Sequence, residues 1–429
     1  RELLNEPVTL RGLDPQHGLI LLNGTRYHNM AWFYGGGLKG QLGRGSAGND
    51  LNAIPFSAVE RVEILRDGAA AQYGSDAIAG VINIRLKTST GNTSIRLHTG
   101  QYYKGDGGKV SFGINRGFSL NQKGFLNFSA DFRYQEPALR GGEYQGTVYI
   151  NIPSGTSIAN SLRLKALDDS LVNARGFNRK AVMDNFGTLK IRSGGVLMNG
   201  RYSVSQRTSL FWTAIANQRN VWRDDVYRYP KNPAQVNLAL YPDGFQAKSH
   251  SITTDFSTIG GIKGKTGKDG QWAVTSSYGR NTLRSHTTHN NNASQSFMGR
   301  NAPTSFYTGK VVYQQLTNNV HVSKKYIRWQ ESWNVAAGAE WRIENYHNEA
   351  GDSASWHNYD PTGRTQAGVG GIRPEDVINK TRNVGAVYLD LESEWAGRFL
   401  LNVAARYEYY NDGGGSLAGK LAVRYRFSD

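Results

Sequence analysis

Residues Ile54 to Lys87 read IPFSAVERVEILRDGAAAQYGSDAIAGVINIRLK, and the reading of this stretch decides the fold. Val59 to Leu65 interleaves β-branched and aliphatic residues with Glu60, Arg61 and Glu63, as a strand does. Asp67-Gly68 offers a turn, because Gly accepts φ > 0 without a Cβ clash. Small residues at Ala69 to Ala71 lead through Tyr73-Gly74-Ser75-Asp76, and Gly80 opens a second strand, Val81 to Leu86. On pattern alone the simpler reading is a strand–turn–strand unit of a soluble α/β protein.

Upstream, Leu19 to Leu22 is a short continuous apolar run, expected for a strand buried on both faces. Asn23-Gly24 supplies the positive-φ turn that ends it. Arg26 to Tyr34 and the glycine-rich tract Gly35 to Gly48 hold no core pattern and read as loops. The tract lacks G-K-[ST] and leads into no helix, so it is not a phosphate loop. The chain has 429 residues, enough for two domains. With no Cys, neither a disulfide framework nor a thiolate metal site is possible. Gly at 51, Tyr at 23 and Trp at 9 suit β structure with many tight turns. Mean hydropathy is −0.53, and no run approaches the ~20 apolar residues of a membrane helix. A β-barrel is still allowed, because a polar lumen face dilutes the hydropathy of each strand.

From Thr93 onward the texture becomes two-residue alternation. Leu126, Phe128, Ala130, Phe132 and Tyr134 point one way, and Asn127, Ser129, Asp131, Arg133 and Gln135 the other. Val387, Leu389, Leu391 and Trp395 alternate with Tyr388, Asp390, Glu392 and Glu394. Leu401, Val403, Ala405, Tyr407 and Tyr409 alternate with Asn402, Arg406 and Glu408. Such runs reach the ~9–11 residues that cross a bilayer at a tilt. About twelve strands follow residue 91. Connections are short on one side (118–123, 206–208, 263–270, 396–397) and mostly long on the other (136–195, 219–249, 284–303, 347–381). Outer-membrane barrels segregate their loops in this way, and globular sandwiches have no reason to.

The wording of Ile54 to Lys87 closely resembles, without a gap, the C-terminal half of the plug domain of TonB-dependent outer-membrane receptors of Gram-negative bacteria. Looser resemblance runs on through Tyr241-Pro242-Asp243-Gly244-Phe245, Pro303-Thr304-Ser305-Phe306-Tyr307, Ala337-Gly338-Ala339-Glu340-Trp341-Arg342 and Gly419 to Tyr425. It implies a mostly β protein: an N-terminal α/β plug, residues 1–89, inside the lumen of an antiparallel transmembrane β-barrel, residues 91–429. Family barrels have 22 strands. With about twelve visible, and the TonB box and first plug strands unseen, the sequence is expected to be a fragment cut at both ends.

The resemblance also implies a function, active uptake of a scarce ligand, with an iron-siderophore the commonest cargo and oligosaccharide, cobalamin and haem as alternatives. Implied partners are the TonB-ExbB-ExbD energy-coupling complex, outer-membrane lipid and lipopolysaccharide, and a small-molecule or glycan ligand. At the plug apex His28, Trp32, Tyr34 and Arg44 are the expected ligand contacts, since amphipathic aromatics and Arg suit chelates, glycans and anions. Plug residues Arg61, Glu63 and Arg66 are expected to make weak, hydrated pairs with lumen residues Asp131, Arg133, Glu392 and Arg424. The competing class is a soluble carbohydrate-binding β protein.

No catalytic constellation emerges, so an enzyme is not expected, and neither is a cofactor or metal. No G-x-S-x-G elbow lies between strand and helix. Asp168-Asp169 and Asp224-Asp225 read as solvated loop pairs, while Glu340 and Glu344 would share a lumen face. Ser285-His286-Thr287-Thr288-His289 places two imidazoles in one loop, more simply surface residues than a metal site. The net charge of +16 is spread along the chain at strand alternation and not clustered on one element, which a lumen or surface meeting anions explains as well as nucleic acid does, so charge alone does not decide between them.

Overall fold

The computed structural model describes residues 8–32, 45–66, 70–183, 187–328, 331–363, 365 and 369–427. Two sheets account for its strands. The small one contains β1 (Gly18–Leu22), β2 (Thr25–Arg26), β3 (Val59–Leu65) and β4 (Gly80–Leu86) in the order β2-β1-β4-β3. β1 and β4 run parallel, Leu19 opposite Val81 and Leu22 opposite Ile84, while β3 is antiparallel to β4. The continuous apolar run in β1 is buried on both faces, as its lack of alternation requires. Asn23 and Gly24 turn it at φ 51° and 87°. A one-turn helix, α1 (Ala70–Tyr73), lies between β3 and β4. The Asp67-Gly68 turn falls outside the described residues.

The large sheet is a twelve-stranded antiparallel meander. In chain order it contains β5 (Thr93–Gly100), β6 (Lys109–Leu120), β7 (Gly124–Gln135), β8 (Lys190–Ser203), β9 (Thr208–Asp224) and β10 (Lys248–Thr266). It continues with β11 (Gly270–Thr288), β12 (Phe306–Arg328), β13 (Glu331–Glu349), β14 (Asn379–Trp395), β15 (Phe399–Tyr410) and β16 (Gly414–Tyr425). Each strand pairs only with its sequence neighbours, and among the described residues β5 and β16 are not joined to each other. The sheet curves around the small one. Residues Phe56–Ala58 rest on β6 and β7, Leu51–Ala53 on β9, β2 on β11, and α1 on β14, β15 and β16.

Burial follows the expected alternation. On β14 and β15, Asp390, Asn402, Arg406 and Glu408 are buried toward the small sheet, and Val387, Leu389, Val403 and Tyr407 are exposed on the outer wall. The lumen turns apolar at one place. Leu197, Ile215 and Ile259, on β8, β9 and β10, pack with Ile20, Leu22, Ile82 and Ile84 and seat one face of the small sheet. Its other face packs Leu19, Leu21 and Val81 against Ala77 and Tyr73.

Strands run further outward than the alternation suggests, so the long loops are shorter than expected. β8 begins at Lys190 rather than Gly195, and β11 continues to Thr288. The loop after β7 also contains a 17-residue helix, α2 (Ile158–Ala174), capped by the Ser157 hydroxyl, where the sequence reading placed irregular chain. Asp168, on that helix, is not solvated. It is fully buried and accepts the backbone N–H groups of Val148, Tyr149 and Ile150 at 2.7–3.1 Å, tying the helix to its own loop.

Gly80 sits at φ +140°, and a Cβ there would lie 2.5 Å from the Leu65 carbonyl oxygen. Gly80→Ala is therefore expected to cost about 1–3 kcal/mol, read as faster hydrogen exchange across β1 and β4. Gly260→Ala, where a Cβ meets open space, should leave that exchange unchanged.

Candidate functional site

The contact between the small sheet and the curved wall contains most of the buried charge. On the wall side, alternation places Glu340, Arg342 and Glu344 of β13 on the lumen face, with Arg406 and Glu408 of β15 nearby. Arg26 ends β2 and Asp76 follows α1, so the small sheet presents one charge of each sign. Arg26 is ion-paired with Asp76 and lies 3.9 Å from Glu340. Arg342 reaches Asp76 and Glu340 at 3.4 Å each and Glu344 at 3.2 Å. Arg406 bridges Glu340 at 3.4 Å and Glu408 at 2.9 Å. Glu408 also accepts the Ser75 N–H at 3.0 Å, and Ser75 Oγ lies 2.6 Å from the Tyr410 hydroxyl. Burial pushes the Asp76 carboxyl up, but Arg26, Arg342 and Arg406 outweigh it and hold the group below the usual carboxylate range. The cluster is only partly hydrogen-bonded: Arg26 Nε, Arg406 Nη2 and Glu340 Oε1 are buried with charge partners but no hydrogen bond.

A second buried cluster sits against β9, β10 and β11. Asp255 accepts from the Tyr27 hydroxyl at 3.0 Å and from Asn281 Nδ2 at 2.8 Å, and lies 3.0 Å from His28 Nε2. A Cβ at Gly279 would lie 2.1 Å from His28 Cγ, so the imidazole fits only because β11 carries glycine there. Asp50 meets Arg219 at 2.5 Å, both buried. Burial pushes the Asp50 carboxyl up, and Arg219 offsets this only in part. Elsewhere Ser57 donates its N–H to Asp131 of β7 at 3.1 Å, and Gln72 hydrogen-bonds Asp390 of β14.

Two openings flank these contacts. One is a cleft above Leu51–Phe56 whose wall carries His98, Lys109, Ser111, Asp131, Arg133 and Arg219. His98, Ser111, Arg133, Ser193 and Arg219 are cross-strand partners in one row, which gathers basic side chains from three strands. The other is a polar gap between the small sheet and the wall, lined among others by Arg26, Tyr73, Arg85, Lys263, His321 and Asp390.

The structure redistributes the residues singled out from sequence. Of the four expected ligand contacts, Tyr34 and Arg44 fall outside the described residues, and Trp32 is 38% exposed. His28 is 3% exposed beneath the apex, committed to Asp255, so it anchors the small sheet rather than meeting solvent. Arg61 and Glu63 do not reach the lumen wall. They pair with each other at 2.8 Å, and Glu63 accepts from Asn83 at 2.8 Å, because β3 is an edge strand with its outer side open. Arg66, at the end of the same edge, is exposed. Asp131 does meet the small sheet, through Ser57. Arg133 donates to Gln135 at 2.8 Å and lines the cationic cleft. Glu392 is exposed, and Arg424 faces Glu394 of its own wall at 4.0 Å. Arg26, Asp76, Arg342 and Arg406 were missed. The only local signal was the i, i+2 alternation of charge in Glu340-Arg342-Glu344 and Arg406-Glu408.

Comparison with known proteins agrees with this architecture. Residues 4–81 match the family model "TonB-dependent Receptor Plug Domain", and residues 186–429 match "TonB dependent receptor-like, beta-barrel". A probable TonB-dependent siderophore receptor of Acinetobacter baumannii and a ferric enterobactin receptor of Pseudomonas aeruginosa are each 36% identical over 118 residues, 26% of this chain and 15% of theirs. A vitamin B12 transporter of Photobacterium profundum is 33% identical over 130 residues, 29% of this chain and 19% of its own. Among solved structures, a ferric enterobactin receptor variant from P. aeruginosa superposes with a TM-score of 0.62 at 15% identity, over 98% of this chain and 53% of that one. The siderophore receptor PirA from A. baumannii gives 0.61 at 15% identity, over 98% and 52%. The chain thus spans about half the length of the solved receptors it matches.

Asp76 is more acidic folded than unfolded, so its stabilisation is complete above about pH 3.9 and is lost as pH falls through its depressed folded value. Proteolysis around α1 should accelerate below about pH 3.9, and Asp76→Asn should flatten that dependence. At neutral pH Arg26→Met removes one guanidinium from Asp76 and Glu340 while Arg342 and Arg406 remain, and should weaken the seating by about 1.5–3 kcal/mol, read as protection lost in hydrogen exchange of residues 70–77.

Proposed function

The chain belongs to the TonB-dependent receptor family, and from that premise we propose that it serves energised uptake of an iron-siderophore across the outer membrane. Residues 1–89 act as the plug and residues 91–429 as barrel wall. The observation that supports this best is the split character of their contact. A small apolar seat at Leu197, Ile215 and Ile259 fixes the position of the plug, while the rest of the interface is charged, incompletely hydrogen-bonded and bordered by a polar gap. Such an interface blocks a wide lumen at rest and yields to a pull.

Cargo binding fits the outward-facing cleft over Leu51–Phe56. Its His98, Lys109 and Arg133 suit an anionic chelate, because charge-assisted hydrogen bonds to carboxylate or catecholate oxygens are the strong ones. Trp32 adds an aromatic surface at the same end of the plug. The energy comes from the TonB-ExbB-ExbD complex pulling on the plug from the periplasm. Relatives named as siderophore receptors support the cargo class. Cobalamin is the second reading, since a vitamin B12 transporter shares 33% identity over 130 residues.

Iron-starved cells whose uptake depends on this receptor should accumulate labelled ferric siderophore only while TonB is present. Lys109→Ala with Arg133→Ala should lower that uptake about tenfold or more at equal surface expression. Saturable cobalamin uptake with no response to ferric chelates would overturn the cargo assignment. Replacing Arg26 and Asp76 together by Ala should make the cells several-fold more sensitive to antibiotics too large for general porins. Unchanged sensitivity would remove the ion cluster from the sealing role.

A further inference from the structure

The polar gap between plug and wall continues past the ion cluster toward the short turns, with a volume of about 510 Å³. Two cross-strand rows of lumen-facing residues form its wall. One runs from Arg201 on β8 through Phe211, Gly261, Thr275 and Asn319 to Glu340 on β13. The next runs from Lys263 on β10 through Ala273, His321, Gly338 and Tyr388 to Arg406 on β15. Both rows end at the ion cluster, in Glu340 and Arg406. Glu340 lies nine residues into β13, whereas Arg201 is two residues from the end of β8 at its short turn. The rows therefore line a trough that descends, strand by strand, from the cluster to the turn side. Small residues keep it open. A Cβ at Gly261 would lie 2.6 Å from Phe211 Cζ, and one at Gly338 would lie 2.5 Å from Tyr388 Cε1, so both rings lie flat along the wall.

The lower end of the trough gathers cations. Arg85 of β4, Arg201 of β8 and Lys263 of β10 all line the gap there. The Arg201 guanidinium lies 5.7 Å from the centre of the Phe125 ring, and Lys263 Nζ lies 5.3 Å from that of Phe211. Both cations are exposed, and among the described residues neither has an ion pair. Arg85 has Glu63 at 3.8 Å, but that carboxylate is drawn closer to Arg61, at 2.8 Å. The carboxylates that line the gap stand at its other end and are committed. Glu340 meets Arg342 and Arg406, and Asp390 accepts from Asn402 at 2.7 Å and from Gln72.

A hydrogen-bonded bridge holds the three cations in register. Asn23, at the plug turn, donates to Asn199 of β8 at 3.2 Å. Asn199 donates to the Lys87 carbonyl at 3.0 Å and accepts from Thr213 of β9 at 3.2 Å. The end of β4, which carries Arg85, is thus tied to the two strands that carry Arg201 and Phe211. Like charges fixed around a narrow opening repel one another and focus positive potential into it. A purely structural cluster would set a carboxylate among them, as the ion cluster at the other end does.

We propose that Arg85, Arg201 and Lys263 form a second anion site, on the short-turn side of the plug, that takes the carboxylate or catecholate oxygens of an anionic chelate. The inference rests on the uptake reading for its occupant and for the direction of travel. In that reading the short turns face the periplasm, so the site lies at the far end of the trough from the Arg26–Asp76 contact. A chelate that passes this contact is held there before it leaves the lumen. The guanidinium groups of Arg85 and Arg201 suit planar pairs of anionic oxygens, and the Phe125 and Phe211 rings keep the neighbouring cations from folding back on the wall.

The test uses the full-length receptor in detergent micelles. This chain has no Cys, so Ala273→Cys, beside Lys263 on the wall of the gap, supplies a reporter thiol. Its modification by a sulfonate-bearing methanethiosulfonate is compared with that by a trimethylammonium-bearing one, each relative to a free thiol. The anionic reagent should react at least tenfold faster, and added salt should shrink the excess. Tricarballylate should shield the thiol from a neutral reagent, and its trimethyl ester should not. Arg85→Gln/Arg201→Gln/Lys263→Gln should abolish both effects, and Arg163→Gln/Lys165→Gln, on α2 beyond the other end of the strands, should keep them. Absence of either effect with Ala273→Cys alone overturns the proposal whether or not the triple variant folds, as does an undiminished effect in a folded triple variant. TonB-dependent uptake of ferric siderophore by cells separates the two readings. Uptake without these effects sinks only the second site, and both effects without uptake sink only the cargo reading.

Discussion

A polar body held inside a water-lined curve faces a constraint that ordinary domain packing does not. If its whole surface were apolar, it could never be released; if none were, nothing would fix its position. This chain divides the task. Leu197, Ile215 and Ile259 bury against the β1–β4 face of the plug, each contributing about 1.5–3 kcal/mol by burial. That is enough to define one seat. On the far side, Arg26, Asp76, Glu340, Arg342, Arg406 and Glu408 contribute specificity of register more than net stability, because taking these charges from water offsets much of their attraction.

The same division explains what the sequence made legible. Alternation on β7, β14 and β15 was readable because every strand stands between two different surroundings, and each residue reports one of them. β1 was readable because it alternates with nothing. The small-sheet contacts were not, since they join residues far apart in the chain. His28 and Asp255 are 227 residues apart, and no local feature of Arg26 to Tyr34 distinguishes an imidazole that anchors from one that waits for ligand. Gly279 was the one available hint, and it becomes meaningful only once β11 is known to face His28. Arg61 and Glu63 misled for the opposite reason. Charges on an alternating strand suggest a partner across an interface, yet on an edge strand they pair along their own backbone. Helix α2 escaped because its periodicity is weak, with Ile158 and Leu162 exposed, and its stability comes from Ser157 and the buried Asp168.

The two ionic contacts of the plug are not equivalent. Asp76 is held ionised at a net gain, three guanidinium groups outweighing its burial. Asp50 is held at a net cost, because its burial outweighs the single Arg219. Asp76 faces three guanidinium groups with its side chain partly open to solvent, whereas Asp50 faces one and is fully enclosed. Asp50 immediately precedes the Leu51–Phe56 floor of the cationic cleft, so the Asp50–Arg219 contact lies directly beneath that opening. In the uptake proposed above, an anion in the cleft would share the field of Arg133 and Arg219 with Asp50, which links the charge of the cleft to the seating of the plug.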